Sequence, residues 1–344
     1  MTTPDAAIRT YRKGASISDK DALVLEDFKV YYGTPRGTVK AVDGVSLTLK
    51  QGERFALVGE SGSGKSTLAM GLMRLIRPPG YIAGGTVILK DKELTEISDE
   101  EMRLTRLSEM SLVPQGAMNS LNPVMRVEGQ IADGIIDHLG PGEKTPSKGD
   151  MAKRILKLLN NVGLRPNVAR LYPHELSGGM KQRVAMAIGI SLKPSMIIAD
   201  EPTSALDVVV QRQIMQTLGR LQEGLDATIL LVGHDMGLVA QFADTIGVMY
   251  AGRLVEVGPV DSVFSNPKHP YTRLLIDSLP SLDEKKDFIG IPGLPPQLIN
   301  LPNGCAFEER CPSRFERCPK EIPEALNLGD RRRVACHLFE NEAK

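Results

Sequence analysis

The segment Gly59-Glu-Ser-Gly-Ser-Gly-Lys65-Ser66 has the composition and spacing of a loop that cradles phosphate. Glycines at 59, 62 and 64 allow the backbone to curl until successive N–H groups point inward at phosphate oxygens. Lys65 would reach the β- and γ-phosphates of a nucleotide and the Ser66 hydroxyl would ligate Mg²⁺. Ser61 and Thr67 complete the expected contacts of the loop. A second site is acidic: Met196-Ile-Ile-Ala-Asp200-Glu201 is an apolar run ending in two carboxylates. Asp200 could hold Mg²⁺ directly or through water, and Glu201 is suited to polarise a water attacking the γ-phosphate. The plain alternatives are a chance glycine-rich turn and an acidic helix cap. The strand and helix expected around the loop, and the pairing of the acids at a strand end, argue against both.

These residues need elements to carry them. Leu23 to about Leu49 reads as two antiparallel strands joined by a turn at 33–37. Arg54–Val58 is a short apolar strand running into the phosphate loop, and Leu68, Leu72, Leu75 and Ile76 repeat at helical spacing until Pro78-Pro79-Gly80. Residues 116–192 read as a mostly helical insertion, broken by the polar segment 140–150. Met196–Ala199, Thr228–Val232 and Thr245–Met249 are the apolar runs of buried parallel strands, with helical crossovers between them. After Gly258 prolines become frequent, and the rest reads as an appended, loop-rich region.

Hydrophobic residues make up 42% of the 344, enough for a sizeable core. Lys plus Arg and Asp plus Glu are 42 each, and this balance disfavours nucleic acid as a partner. The Arg331-Arg332-Arg333 run reads as a solvated surface turn. No stretch is apolar enough for a membrane helix, and the first twenty residues have no hydrophobic segment of a signal peptide and read as a flexible tail. The expected location is the cytoplasm, with any membrane contact made through partners. Cys305, Cys311, Cys318 and Cys336 crowd near the end, which in a reducing compartment suggests metal ligation before disulfides.

Leu176-Ser177-Gly178-Gly179-Met180-Lys181-Gln182 resembles the signature of ABC-type ATPases, although an ordinary N-cap at Ser177 explains the same residues locally. Further landmarks of that family follow in order. Gln115 matches the Q-loop glutamine that senses Mg²⁺ and the membrane partner, Ser204-Ala205-Leu206-Asp207 matches the D-loop, and His234 matches the switch histidine contacting the γ-phosphate. Tyr32 sits where the family stacks an aromatic ring on adenine, with Tyr31 beside it as an alternative. Gly233 and Gly116 depart from the residues many relatives carry there.

The resemblance implies an α/β ABC-type P-loop ATPase over residues 21–258, with a helical subdomain at about 116–192, a 1–20 tail and a 259–344 extension. ATP would lie between the P-loop of one subunit and Ser177, Gly178, Gly179, Gln182 and Asp207 of another. Glu201, His234 and Gln115 would be catalytic, and Ser66, Gln115 and Asp200 would serve Mg²⁺.

Asn266-Pro-Lys-His-Pro-Tyr-Thr-Arg273 and Tyr172-Pro-His-Glu-Leu-Ser177 are similar to the oligopeptide/dipeptide/nickel importer group. That resemblance implies a peripheral subunit on the cytoplasmic face of the membrane that drives peptide uptake. Its partners would be a paralogous ATPase, two transmembrane permease subunits and an extracytoplasmic solute-binding protein. Oligosaccharide or nickel import, and a soluble non-transport ATPase, stand as alternatives. The cysteine spacing C-x5-C-x6-C-x17-C suits tetrahedral zinc or an iron–sulphur cluster, and lacks the close CxxC pairs common in structural zinc sites. Some members of the group carry a four-iron–four-sulphur cluster on similarly spaced cysteines, so the resemblance implies such a cluster, with zinc second and free thiols third. His337 is read as incidental.

Overall fold

The alternating apolar residues of Asp21–Thr34 (β1) and Gly37–Lys50 (β2) pair antiparallel, with Leu25 opposite Leu47 and Val30 opposite Val42. Alternation turns one face of the ribbon inward and leaves the other wet. Arg54–Val58 (β3) has no such alternation because it is covered on both faces; Phe55 through Val58 are all fully buried. The structure, a computed structural model, describes residues 20–116, 120–140, 142–279 and 290–340. The expected tail at 1–20 lies, but for Lys20, outside the described residues.

The helix after β3 runs Lys65–Leu72 (α1), shorter than its apolar repeat through Ile76 suggests. Arg74 takes a left-handed conformation at φ +49°. The Arg106 guanidinium donates to the carbonyls of Met73 and Arg74 at 2.8 and 3.1 Å. A side chain distant in sequence thus satisfies carbonyls that another helical turn would have used. Gly80–Leu89 (β4) and Lys92–Glu93 (β5) complete a four-stranded antiparallel sheet in the order β2-β1-β4-β5. Asp99–Ser108 (α2) follows, opened by a reciprocal capping box between Ser98 and Glu101.

Met110–Val113 (β6) enters the main sheet. The region after it is helical, with Val127–Ile136 (α3), Lys148–Asn161 (α4) and Gly178–Gly189 (α5). Met196–Asp200 (β7), Val208–Leu225 (α6), Thr228–Val232 (β8), Met236–Phe242 (α7) and Thr245–Tyr250 (β9) then alternate. The order β9-β3-β8-β7-β6 is parallel throughout, so the C-terminal ends of these strands lie along one edge.

Arg253–Pro259 (β10) turns antiparallel onto β9, and Val260–Ser265 (α8) and Pro270–Asp277 (α9) follow. The extension is more than a loop-rich appendage. Ala325–Asn327 (β11) and Arg333–Ala335 (β12) pair with each other, and β12 pairs with β10, so the main sheet becomes β11-β12-β10-β9-β3-β8-β7-β6. The expectation of a solvated turn at Arg331–Arg333 holds for Arg331, which lies in a turn and stays half exposed, and is corrected for Arg332 and Arg333. Arg331 bonds both oxygens of the buried Glu53 at 2.7 and 2.9 Å, Arg332 pairs with the buried Glu256 at 2.8 Å, and Arg333 donates to the Ser46 carbonyl. The buried carboxylates of Glu53 and Glu256 hold Arg331 and Arg332, because an unpaired buried charge is costly.

Candidate active site

The loop between β3 and α1 can only be built with glycine at two points. Gly59 lies at φ +149°, and a β-carbon there would stand 2.1 Å from the Met249 carbonyl oxygen. Gly64 lies at φ +104°, where a β-carbon would stand 2.0 Å from the Ala41 carbonyl oxygen. Lys65 is 5% exposed and its Nζ donates to the carbonyls of Gly59 and Glu60, each at 2.8 Å. Burial pushes its pKa down, while the nearby Glu201, Asp200 and Glu60 carboxylates push it up. The ammonium therefore rests on the carbonyls of its own loop, turned toward the space the loop encloses. Ser66 Oγ donates to Asp200 Oδ1 at 3.0 Å, joining the start of α1 to the end of β7. Burial raises the Asp200 pKa, opposed by the Ser66 bond and by Lys65. A hydroxyl and a carboxylate so placed are hard oxygen ligands suited to Mg²⁺.

Glu201, one residue past β7, holds a left-handed backbone at φ +43°, uncommon for a residue with a side chain. Its N–H donates to the Val232 carbonyl at 2.8 Å, which pins the turn to the end of β8. Gln115 Nε2 donates to Glu201 Oε2 at 2.7 Å, and His234 Nδ1 lies 3.5 Å from Glu201 Oε1. Gln115 lies two residues past β6 and His234 two past β8. Because β6, β7 and β8 are parallel neighbours, residues 115, 201 and 234 meet at one edge, where open α/β sheets bind ligands.

The remaining expected residues divide. The Tyr31 hydroxyl donates to Asp43 at 2.6 Å, a commitment that takes Tyr31 to the face away from Tyr32. Tyr32 stands against Gly80, where a β-carbon would approach its Cε1 to 2.6 Å. Ser177 caps α5 by accepting from Met180 N at 3.3 Å, and Gly179 lets α5 close on Val210 of α6. Asp207 caps α6 by accepting from Val210 N at 3.0 Å. Beside it Val208 and Val209 are 78% and 67% exposed. Gln182 lies inside α5 rather than on its open end. Its side chain is 4% exposed and its Nε2 has no hydrogen-bond partner among the described residues.

The four cysteines line one small cavity together with His269 and His337, and none is in a disulfide. The Cys305 N–H donates to the Cys318 carbonyl at 2.7 Å, and a β-carbon on Gly304 would stand 2.2 Å from that oxygen. Burial raises the thiol pKa values of Cys305 to about 12 and of Cys336 to about 11, with the neighbouring cysteines adding to the shift. Among the described residues no group of three or more His, Cys, Asp or Glu side chains is drawn close enough to hold a single metal ion. The expectation of a four-cysteine metal site is therefore reduced to four thiols around one cavity. His337 is fixed by Glu340 and the Glu321 carbonyl.

A family profile described as ABC transporter matches residues 42–204, and one described as the C-terminal region of oligopeptide/dipeptide transporters matches 255–318. The dipeptide transport ATP-binding protein DppD of Bacillus subtilis is 40% identical over 94% of this chain and 96% of its own length. The chain belongs to the ABC transporter ATP-binding subunits of the dipeptide and oligopeptide family. DppD of Escherichia coli is 40% identical over 92% of this chain, and the oligopeptide protein OppD of Salmonella typhimurium 41% over 89%, each covering more than nine-tenths of the relative. The dimeric ATP-binding cassette MJ0796, solved with ADP and phosphate, superposes with a TM-score of 0.62 at 28% identity, covering 69% of this chain and 98% of that one.

In this ABC subunit two residues at the P-loop escaped the sequence reading. The Tyr271 hydroxyl accepts from the Glu60 N–H at 2.8 Å, and Arg310 bonds both carboxylate oxygens of Glu60 at 2.7 and 3.0 Å. No spacing rule links positions 211 and 250 residues apart; only the packing of the extension on the ATPase does.

Proposed function

We infer that this subunit hydrolyses ATP to drive uptake of peptides across a membrane. The observation that carries the reading is the convergence of Gln115, Glu201 and His234 at the end of three parallel strands, beside Lys65 and the Ser66–Asp200 pair. Glu201 would accept a proton from a water, oriented by Gln115 and His234. Lys65 would exchange the loop carbonyls for phosphate oxygens, with Ser61, Gly62, Gly64 and Thr67 lining the loop and Tyr32 under the adenine. Mg²⁺, when bound, supplies neutralisation of phosphate charge, and Ser66, Asp200 and Gln115 would hold it.

Ser177, Gly178 and Gly179 begin a helix, so their N–H groups suit the phosphates of a nucleotide on an opposing ATPase. The exposed valines beside Asp207 suit the same interface. The partners in this reading are a second, paralogous ATPase, two permease subunits and a solute-binding protein, with the chain on the cytoplasmic face. Among the described residues no helix is long and apolar enough to cross a membrane. The ATPase unit would span 21–258 and the extension 259–344. The shared cavity, the four thiols and the family resemblance support a four-iron–four-sulphur cluster on Cys305, Cys311, Cys318 and Cys336. Loading would release the thiol protons.

The test is ATP hydrolysis by the complete reconstituted transporter, with its binding protein, against panels of peptides, oligosaccharides and nickel. Peptides stimulate turnover and Glu201→Gln abolishes it; stimulation by another panel, or undiminished turnover in the variant, overturns the reading. Iron analysis of Cys305→Ser tests the cluster, which retained iron would refute.

A further inference from the structure

Glu60 is tied at every polar group. Its carbonyl accepts from Lys65, its N–H is taken by Tyr271, and its carboxylate is held by Arg310. Tyr271 and Arg310 both belong to the C-terminal extension. The Arg310 side chain is 4% exposed, and its donors are engaged on both the extension and β9 as well. Nε donates to the Pro292 carbonyl at 2.8 Å and Nη1 to the Tyr250 hydroxyl at 3.2 Å, and the guanidinium lies over the rings of Tyr250 and Phe307 at 5.8 and 5.9 Å. Arg310 is thus fixed before it meets Glu60, and it lies between Phe307 and Cys311 in the turn that carries the first two cysteines.

A phosphate loop is an awkward place for a carboxylate. Glu60 is close enough to influence Lys65 electrostatically, and an unpaired charge there would repel a bound polyphosphate. A bidentate guanidinium removes that repulsion and fixes the loop's curl. We propose that Arg310 is a positioning residue for the nucleotide: by pairing with Glu60 it cancels the one negative charge within the phosphate loop, so that the cysteine-bearing extension sets the affinity for ATP. This rests on reading the loop as an ATP site. By linkage, nucleotide binding favours the docked state of the extension to the same degree.

The experiment is equilibrium binding of a fluorescent ATP analogue with Mg²⁺ to the full chain, with thermal melts to verify folding. Arg310→Met weakens binding on the order of tenfold, within the usual range of coupling between sites. The deficit shrinks as salt screens the freed carboxylate. Combining it with Glu60→Gln restores most of the affinity, because no charge is then left unpaired. If Arg310→Met does not fold, the uncharged Arg310→Gln with and without Glu60→Gln reads the same coupling. Binding by folded Arg310 variants equal to wild type, or a loss that Glu60→Gln does not relieve and salt does not alter, overturns the proposal and leaves the ATP site standing. A wild-type chain that bound no nucleotide would instead overturn the ATP-site reading.

Discussion

Glu201 is held three ways, by its own N–H on Val232, by Gln115 and by His234, and its backbone is left-handed. Strain of this kind persists where surrounding bonds over-determine it. Glu201→Gln keeps the shape and the Gln115 contact but loses the proposed base, so kcat should fall on the order of 10²-fold or more with ATP affinity retained. Single-turnover hydrolysis alongside nucleotide binding checks this; parallel loss of both would show a structural residue instead. Lys65, parked on two carbonyls, has no such spare partners for phosphate. Lys65→Ala should lose binding itself, measured with the same analogue.

At the scale of elements, the loop between β3 and α1 is a steric fit to the backbone of β2 and β9. Gly64→Ala would drive a β-carbon into the Ala41 carbonyl and so should abolish nucleotide binding and lower the melting temperature, a far larger effect than alanine at Gly62, which faces open space. The helix α9 has a pH-sensitive start. His269 is buried, its Nδ1 accepts from Tyr271 N, and burial lowers its pKa from 6.5 to about 3. The folded state keeps the ring neutral while the unfolded chain takes up a proton below 6.5. The contribution is therefore whole above that value and is lost as pH falls toward 3. About 2 kcal/mol should be gone by pH 5. Urea midpoints from pH 7 to pH 5 measure the slope, and His269→Gln should flatten it.

For the whole molecule, the extension is bound through charge as well as through strand pairing. Glu256 has no solvent exposure and is served by the N–H groups of Lys268 and His269 and by Arg332. Arg332→Met removes the only full positive charge paired with it among the described residues, and should cost about 3 kcal/mol. Denaturant unfolding gives the figure; a loss no greater than that of Arg317→Met, an exposed pairing, would show that the N–H groups suffice.

The phosphate loop, the acidic strand end and the parallel strands could be read from sequence because each obeys a local rule. The loop has a fixed glycine spacing, β7 is a buried apolar run ending in charge, and β1 and β2 alternate with period two. Gln115 and His234 could be placed beside Glu201 only through resemblance, although the topology then supplies the reason, since three neighbouring parallel strands end together. The burial of Gln182 could not be read, because a polar residue in the second turn of a helix looks exposed until the helix is packed. The arginine run was misread in part for the opposite reason. A charged triplet looks wholly solvated until buried Glu256 takes Arg332 and β12 takes Arg333. Local spacing and periodicity determined the chemistry of the nucleotide site. Tertiary structure alone decided that the extension joins the main sheet and reaches Glu60, because pairing between residues hundreds of positions apart leaves no period or spacing in a single sequence.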